Sequence, residues 1–346
     1  MKLGLYIFAA LTLMGIIGAV THMVNPNNFM IEVMGVNLDF PVAVWVVLPM
    51  FLLFIFSSIH IFYYGMKNYF KSKKWYKDAD TLEDALYWSL VNEPKEQKYM
   101  VEKIKSSAVI LSKSNLTVVD GVEGLSDRLT KIVNILNKIK NGEYVDLKEH
   151  KLLKVFNEGN PHLIQNRLNR LNHDSDFVEE VMKSSSDYSE MVREQALSIF
   201  AQRENFIKAR KYAKVFDVKN FFVMLNRAAE DEDHMGLTAE ILDEFISALK
   251  LKCADFVKVA KISKKIFSPD QNLALFKRYQ KENPKAQNAY LYLLFEYELL
   301  DEIANYLDEQ EEHEFMKYRA LFELKKQNKG FKLEDLIDAE SICKNI

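Results

Sequence analysis

"FPVAVWVVLPMFLLFIFSSIHIFYYGMKNYFKSKKWYKD", residues 40–78, decides what kind of chain this is. From Phe40 to Met66 it carries no formal charge over 27 residues, and Lys67, Lys71, Lys73, Lys74 and Lys77 then fall within eleven positions. A helix rises about 1.5 Å per residue, so about 20 apolar residues cover the roughly 30 Å hydrocarbon core of a bilayer. Val42–Tyr64 meets that length, and so does Leu3–Thr21, with its apolar run "LGLYIFAALTLMGIIGAV" over 3–20. Backbone polar groups find no water in lipid, so each run is expected to be a helix. The first run also has the outline of a signal peptide, with one lysine, an apolar stretch and small residues near Ala19. Its length, and the second uncharged run that follows so soon after it, make a helical hairpin the simpler reading.

Working outward, the chain divides by charge. Residues 1–66 hold only Lys2, Glu32 and Asp39 as charged positions, whereas 67–346 are dense in Lys, Glu and Asp. This is a membrane segment joined to a soluble one. The expected organisation is a membrane hairpin at 1–66 (first span 3–21, loop 22–41, second span 42–64), a basic juxtamembrane linker at 67–79, and a helical domain at 80–346. A length of 346 residues allows two or three domains, and a net charge of −3 excludes a general nucleic-acid binder. Two cysteines, Cys253 and Cys343, argue against a disulfide framework and fit a reducing compartment. Seven Pro and 11 Gly are few for this length, which favours helices.

Orientation follows from the lysines. Lys67, Lys71, Lys73, Lys74 and Lys77 lie just beyond the second run, and the connecting loop has none. By the positive-inside rule, residue 67 onward and the N-terminus with Lys2 face the cytoplasm. Tyr63, Tyr64, Tyr69 and Trp75 stand where an aromatic belt lies. The lysines also contact anionic headgroups, at about 1 kcal/mol each near the surface.

The loop is not ordinary loop material. In "VNPNNFMIEVMGVNLDFP", 24–41, Phe29, Ile31 and Val33 alternate with Met30 and Glu32, and Val36, Leu38 and Phe40 alternate with Asn37 and Asp39. That period of two on both sides of Met34-Gly35 predicts a two-stranded hairpin. A bare hairpin is marginal in water, so it leans on the helix ends or on a copy of itself. An uncharged helix, then "NPNNFMIEVMGVNLDFPVAVWVVLP", then a second helix with a basic exit resembles the small lipopolysaccharide assembly protein A type of bacterial inner-membrane protein, over about residues 1–75. The resemblance implies a place in lipopolysaccharide assembly, with a separate single-span partner carrying helical TPR repeats and a membrane protease nearby. This chain departs from that pattern, because it carries a large helical domain on the hairpin itself.

Beyond residue 78 helix signals are frequent. Asp80-Thr81 precedes "LEDALYWSLV", and Asp146 with Glu149 forms a capping-box pattern before "HKLLKVF". Asn160-Pro161 starts another helix with Pro at its first position. Leu125, Leu129, Ile132, Val133, Leu136 and Ile139 form a helical stripe stopped by Asn141-Gly142. Further helices are predicted near 186–202, 204–215, 218–230, 238–251, 255–266, 270–282, 285–299, 301–308, 311–328 and 333–344. Only "LTVV", 116–119, alternates like a strand in this part. The predicted fold is therefore all-α: two transmembrane helices with a short β-hairpin loop, then a cytoplasmic α-solenoid or TPR-like array. Residues 195–216 and 289–309 both look like TPR helix pairs, but Ala209 and Ala304 lie 95 positions apart, not a multiple of the 34-residue period. A TPR-like array and a generic helical array both remain open.

Motifs for chemistry are weak. His22 and His60 lie at opposite ends of the two spans and cannot share a metal, and interfacial roles suit both. "EDEDHMG", 230–236, puts Met235 and Leu242 where a calcium loop beginning at Asp231 needs oxygen ligands. "EEHEF", 311–315, has Lys317 where a zinc-protease helix needs His, and "DGVEG", 120–124, lacks the phosphate-loop pattern. No catalytic, cofactor or metal residues are assigned. Cys253, on an apolar helix face, reads as core. The acidic runs 229–233 and 308–314 read as solvated helix ends, or as docking sites for a basic partner. "YLYLLFEYELL", 290–300, is apolar nearly all round: either it is buried between helices, or Tyr290, Leu294 and Tyr297 meet a partner or a second copy. The expected function is a membrane-anchored, non-enzymatic adaptor for other proteins, with inner-membrane proteins as the expected partners, and without cofactor or nucleic acid. A dedicated chaperone or assembly factor for a membrane machine is the alternative, and a subunit of a membrane enzyme or transporter is the reading from another class.

Overall fold

The computed structural model describes residues 3–33, 36–119 and 121–327, together with Phe331, Leu333, Asp338, Ile342 and Cys343. Met34 and Gly35, between the two expected strands, and most of the helix expected at 333–344 lie outside the described residues. The chain is mostly helical and divides into two compact units, 1–124 and 125–346.

In the first unit, α1 (Leu3–Val24) leads through an antiparallel pair, β1 (Asn28–Val33) and β2 (Val36–Pro41), into α2 (Val42–Leu90). The pairing forms the expected hairpin and sets Phe29 opposite Phe40 and Ile31 opposite Leu38. The hairpin leans on the second helix: Trp45 Nε1 donates to the Phe29 carbonyl at 2.9 Å, and its ring meets Phe40 edge-on with centroids 5.9 Å apart. Helices α1 and α2 pack along each other. Gly18 faces Val47 across the pair, where a Cβ would stand in ordinary contact with Val47 Cγ2 at 3.4 Å, and Tyr6 stacks on Phe54. Both helices are long and apolar enough to cross a membrane, and their outward side chains, Leu5, Phe8, Leu53 and Phe56 among them, are each more than two-thirds exposed.

α2 does not stop at the expected linker. It runs 49 residues, about 73 Å at the helical rise, straight through 67–79 to Leu90. Nothing between Tyr64 and Leu90 breaks it: the only proline, Pro49, sits two turns in, and Gly65 is a lone glycine. Asp80-Thr81 is therefore no helix start, and Thr81 instead donates back to the Lys77 carbonyl, one turn earlier. The segment after α2 folds back on it. α3 (Glu102–Ala108) begins where the Met100 and Val101 amides meet the buried Asp78 carboxylate, at 2.6–3.0 Å. Residues 116–119 form no strand; the Leu116 amide bonds the Ser89 carbonyl at the end of α2.

The second unit contains α4 (Asp127–Lys140), α5 (Pro161–His173), α6 (Ser175–Lys183), α7 (Glu190–Arg203), α8 (Phe206–Ala209), α9 (Val218–Glu230), α10 (Ala239–Ala248), α11 (Cys253–Ser263), α12 (Pro269–Glu282), α13 (Gln287–Glu296), α14 (Leu300–Asp308) and α15 (Met316–Lys326). Leu129, Ile132, Val133, Leu136 and Ile139 of the predicted stripe are buried on α4, whereas Leu125 precedes the helix and is exposed, and the helix ends before Gly142, whose φ of 90° needs no Cβ. Asn160 caps α5 and Pro161 opens it. The capping-box pattern at Asp146 and Glu149 misleads: 147–156 is a chain of turns, with Asp146 accepting from the Lys148 amide and Lys151 at a φ of 58°. Its apolar residues Leu147, Leu152 and Phe156 are buried without a helix.

Packing in this unit follows alternate helices. α5 rests on α7, α7 on α9, α9 on α11 and α11 on α13, with α12 and α14 against α13. One continuous core runs from Leu171 to Leu333. Its middle is aromatic: the Phe245 ring has Phe206, Phe216 and Phe221 within 5.6 Å between centroids, two of them edge-on. Buried asparagines tie loops to helices. Asn166 both accepts from the Val145 amide and donates to its carbonyl at 2.9 Å, and Asn169 donates to the carbonyls of Ile139 and Glu143.

Candidate functional site

Helix α2 positions the basic cluster. Because the helix is unbroken, Lys67, Lys71 and Lys74, spaced at i, i+4 and i+7, share one face, and Lys73 and Lys77 flank it. All five are exposed, and none forms an ion pair among the described residues. At about 37 Å from Val42, Lys67 stands just past the length of a hydrocarbon core. The sequence pattern found these residues, but not the rigid helix that arranges them.

The site suggested by "YLYLLFEYELL" is corrected. Tyr290 and Leu294 are 5% and 0% exposed, so neither can meet a partner. Helix α13 is surrounded by α11, α12 and α14, which explains why it is apolar all round. Tyr297 is half-buried, and its hydroxyl accepts from Asn272 Nδ2 at 3.2 Å.

The cysteines also differ from expectation. Cys253, at the start of α11, is joined to Cys343 in a disulfide, with Cα atoms 5.7 Å apart across 90 residues of sequence. Asn288 Nδ2 donates to Cys253 Sγ at 3.4 Å. A count of two could not reveal this, since pairing depends on the fold bringing the two ends together.

The acidic runs have structural work. Asp231 accepts from the Met235 amide in the turn after α9. Around 308–314, Arg319 gathers the chain by donating to the carbonyls of Leu307, Gln310, Glu311 and Glu314 at 2.7–3.0 Å. His60 lies against the Tyr64 ring, 4.4 Å between centroids. Among the described residues no three His, Cys, Asp or Glu side chains converge as a metal site. At the α5–α6 junction the Phe177 amide, together with Arg170, holds the Asp174 carboxyl below its ordinary range, and burial with Glu180 lifts Tyr188 to about 12.

One concave feature in the second unit was not anticipated: a groove of about 820 Å³ between α9 and α11. Lys219, Phe222, Asn226 and Ala229 line it from α9, and Lys258, Lys261, Ile262 and Lys265 from α11 and the turn after it. Read singly along the sequence, these lysines look like ordinary solvated helix faces. Only the packing of α9 on α11 brings them round one hollow.

No protein-family model, curated protein or solved structure matches this chain. What the fold itself defines is a class: a largely helical protein that joins two helices fit to cross a membrane to a many-helix unit with a basic groove.

Proposed function

We propose that this protein is a bacterial inner-membrane adaptor, anchored by α1 and α2, whose helical unit at 125–346 binds other proteins on the cytoplasmic side. The observation that carries the reading is the exposed apolar surface of α1 and α2. Soluble monomers rarely show apolar patches beyond a few hundred Å², whereas lipid covers such helices at no cost. The lysine face of α2 supports a cytoplasmic exit. The Cys253–Cys343 disulfide pulls the other way, because disulfides persist mainly in oxidising compartments. The lysines weigh more. Charges beside a span act on its orientation during insertion, whereas two cysteines that a fold brings together stand reduced in a reducing compartment.

The row of alternate helices from α5 to α13 supports a TPR-like or related array, a form that presents surface for partners. Tethering raises the effective concentration of such a platform for membrane-bound partners. The likeness of residues 1–75 to the lipopolysaccharide assembly protein A type makes envelope assembly, or the protection or turnover of its components, the leading setting. Affinity purification of the full chain from detergent-solubilised membranes, with mass spectrometry of co-purifying proteins, tests the reading. A small set of inner-membrane proteins is expected. Recovery of only what an unrelated two-span protein recovers would refute it.

A further inference from the structure

We infer that the groove between α9 and α11 is a docking site for an acidic peptide segment carrying an apolar anchor side chain. The inference rests on the reading of 125–346 as a protein-binding platform and names the surface and the chemistry. The chain as a whole is net negative at −3, yet this hollow gathers five lysines, Lys219, Lys258, Lys261, Lys264 and Lys265, against one lining acid, Glu230. Lys264 is paired with Glu296. Lys219, Lys258 and Lys265 are exposed and have no acidic partner among the described residues.

Helix stability does not account for all of them. Cations in the last turn of a helix complement its dipole, which suits Lys261 at the end of α11. Lys219 is the second residue of α9, at the end where a cation is disfavoured. The capping carboxylate of Asp217 is engaged by the Asn220 amide and side chain rather than by this lysine. Lys219 therefore stands in an unfavourable place, without an ion-pair partner, on the rim of a concave basic surface.

The floor selects the ligand class. Phe222 and Ile262 pack against the core from below but remain half-exposed to the groove, and Ala229 extends the apolar strip. A bare phosphate would gain nothing from such a floor, whereas a peptide places carboxylates on the lysine rims and an apolar side chain over Phe222 and Ile262. The volume lies in the range of ligand clefts, about 300–1,000 Å³. α9, with 13 residues, is about 20 Å long, which an extended segment of about six residues matches at about 3.3 Å each.

The test uses the full chain in nanodiscs of zwitterionic lipid and fluorescence anisotropy of labelled hexapeptides. The probe is Glu-Asp-Leu-Phe-Glu-Asp, with Glu-Asp-Gly-Gly-Glu-Asp and Lys-Lys-Leu-Phe-Lys-Lys as controls. Only the first is expected to bind the parent protein. The double variant Lys258→Glu, Lys265→Glu should lose at least tenfold in affinity for it and gain affinity for the lysine peptide. Asn226→Trp, which fills the groove from an exposed position, should weaken binding without a change of charge. Equal binding of the Gly-Gly peptide, unchanged binding by both variants, or no binding to the parent would overturn the inference. Displacement of the probe by inorganic phosphate, or by vesicles containing anionic lipid, at matched charge would also overturn it, in favour of a phosphate or headgroup site. Partner recovery from membranes by the double variant separates the two readings. Unchanged partners alongside failed peptide binding remove the groove and leave the adaptor; no partners with any variant remove the adaptor.

Discussion

Replacing Asp78 with Ala should loosen the first unit where α2 meets α3. The Asp78 carboxylate is 1% exposed and accepts from the Met100 amide through both oxygens at 3.0 Å and from the Val101 amide at 2.6 Å. Hydrogen bonds to a charged group contribute about 1.5–3 kcal/mol each, and truncation leaves two amide donors without partners. Removing a buried carboxylate also recovers desolvation free energy, which offsets part of that loss. The net cost should be about 2–4 kcal/mol. Asp78→Asn keeps one acceptor oxygen and should cost about half as much. All three tryptophans, Trp45, Trp75 and Trp88, lie on α2, so tryptophan emission reports this unit and not the other. Trp88 is the informative one, since the Lys95 ammonium sits 3.2 Å from its ring centre and follows the segment that Asp78 anchors. With Trp45→Phe and Trp75→Phe as background, urea unfolding in mild detergent should show the midpoint falling by about 1–2 M for Asp78→Ala, at a slope of about 1–3 kcal/mol per M. An unchanged midpoint, or a larger loss for Asn than for Ala, would refute the argument that acceptor geometry at the α3 start holds this junction.

Two further outcomes concern the second unit. Without reductant, Cys343→Ser should destabilise 125–346 by about 2–4 kcal/mol, because the disulfide closes a 90-residue span of chain; far-ultraviolet circular dichroism in urea checks this, and an unaltered curve would argue that the bond does not form. Burial raises the phenols of Tyr279, Tyr306 and Tyr318 above 10, and burial with Glu180 takes Tyr188 to about 12. A phenol with a raised folded value contributes stability that is whole below pH 10 and is lost as pH climbs through the folded value. Unfolding midpoints should thus be level from pH 8 to about 9.5 and fall steeply by pH 12.

The sequence revealed most where one physical signal dominated. The uncharged runs gave α1 and the first half of α2, and the period of two around Met34-Gly35 gave the hairpin. The helix expected near 218–230 is α9, whose apolar positions recur at helical spacing and whose start Asp217 caps. Reading failed where local signals were overridden by distant contacts. Asp80-Thr81 and Asp146-Glu149 are plausible caps, but the first lies inside a helix already propagating from Val42, and the second belongs to a loop that Asn166 ties down from α5. Residues 290–297 illustrate an ambiguity of another kind: an all-apolar helix is equally a core helix or a docking face until its neighbours are known. The groove was invisible for the same reason, since its lysines lie about 40 positions apart in two helices.

The central claim is that α1 and α2 cross a membrane and hold the helical unit on the cytoplasmic side. Alkaline phosphatase, active only outside the cytoplasm, tests it when fused after Ile346 and, separately, inserted at Asn37 in the hairpin. The account predicts a silent C-terminal fusion and an active hairpin insertion, each at normal protein level in the membrane fraction. Activity after Ile346, or silence at Asn37, would contradict it.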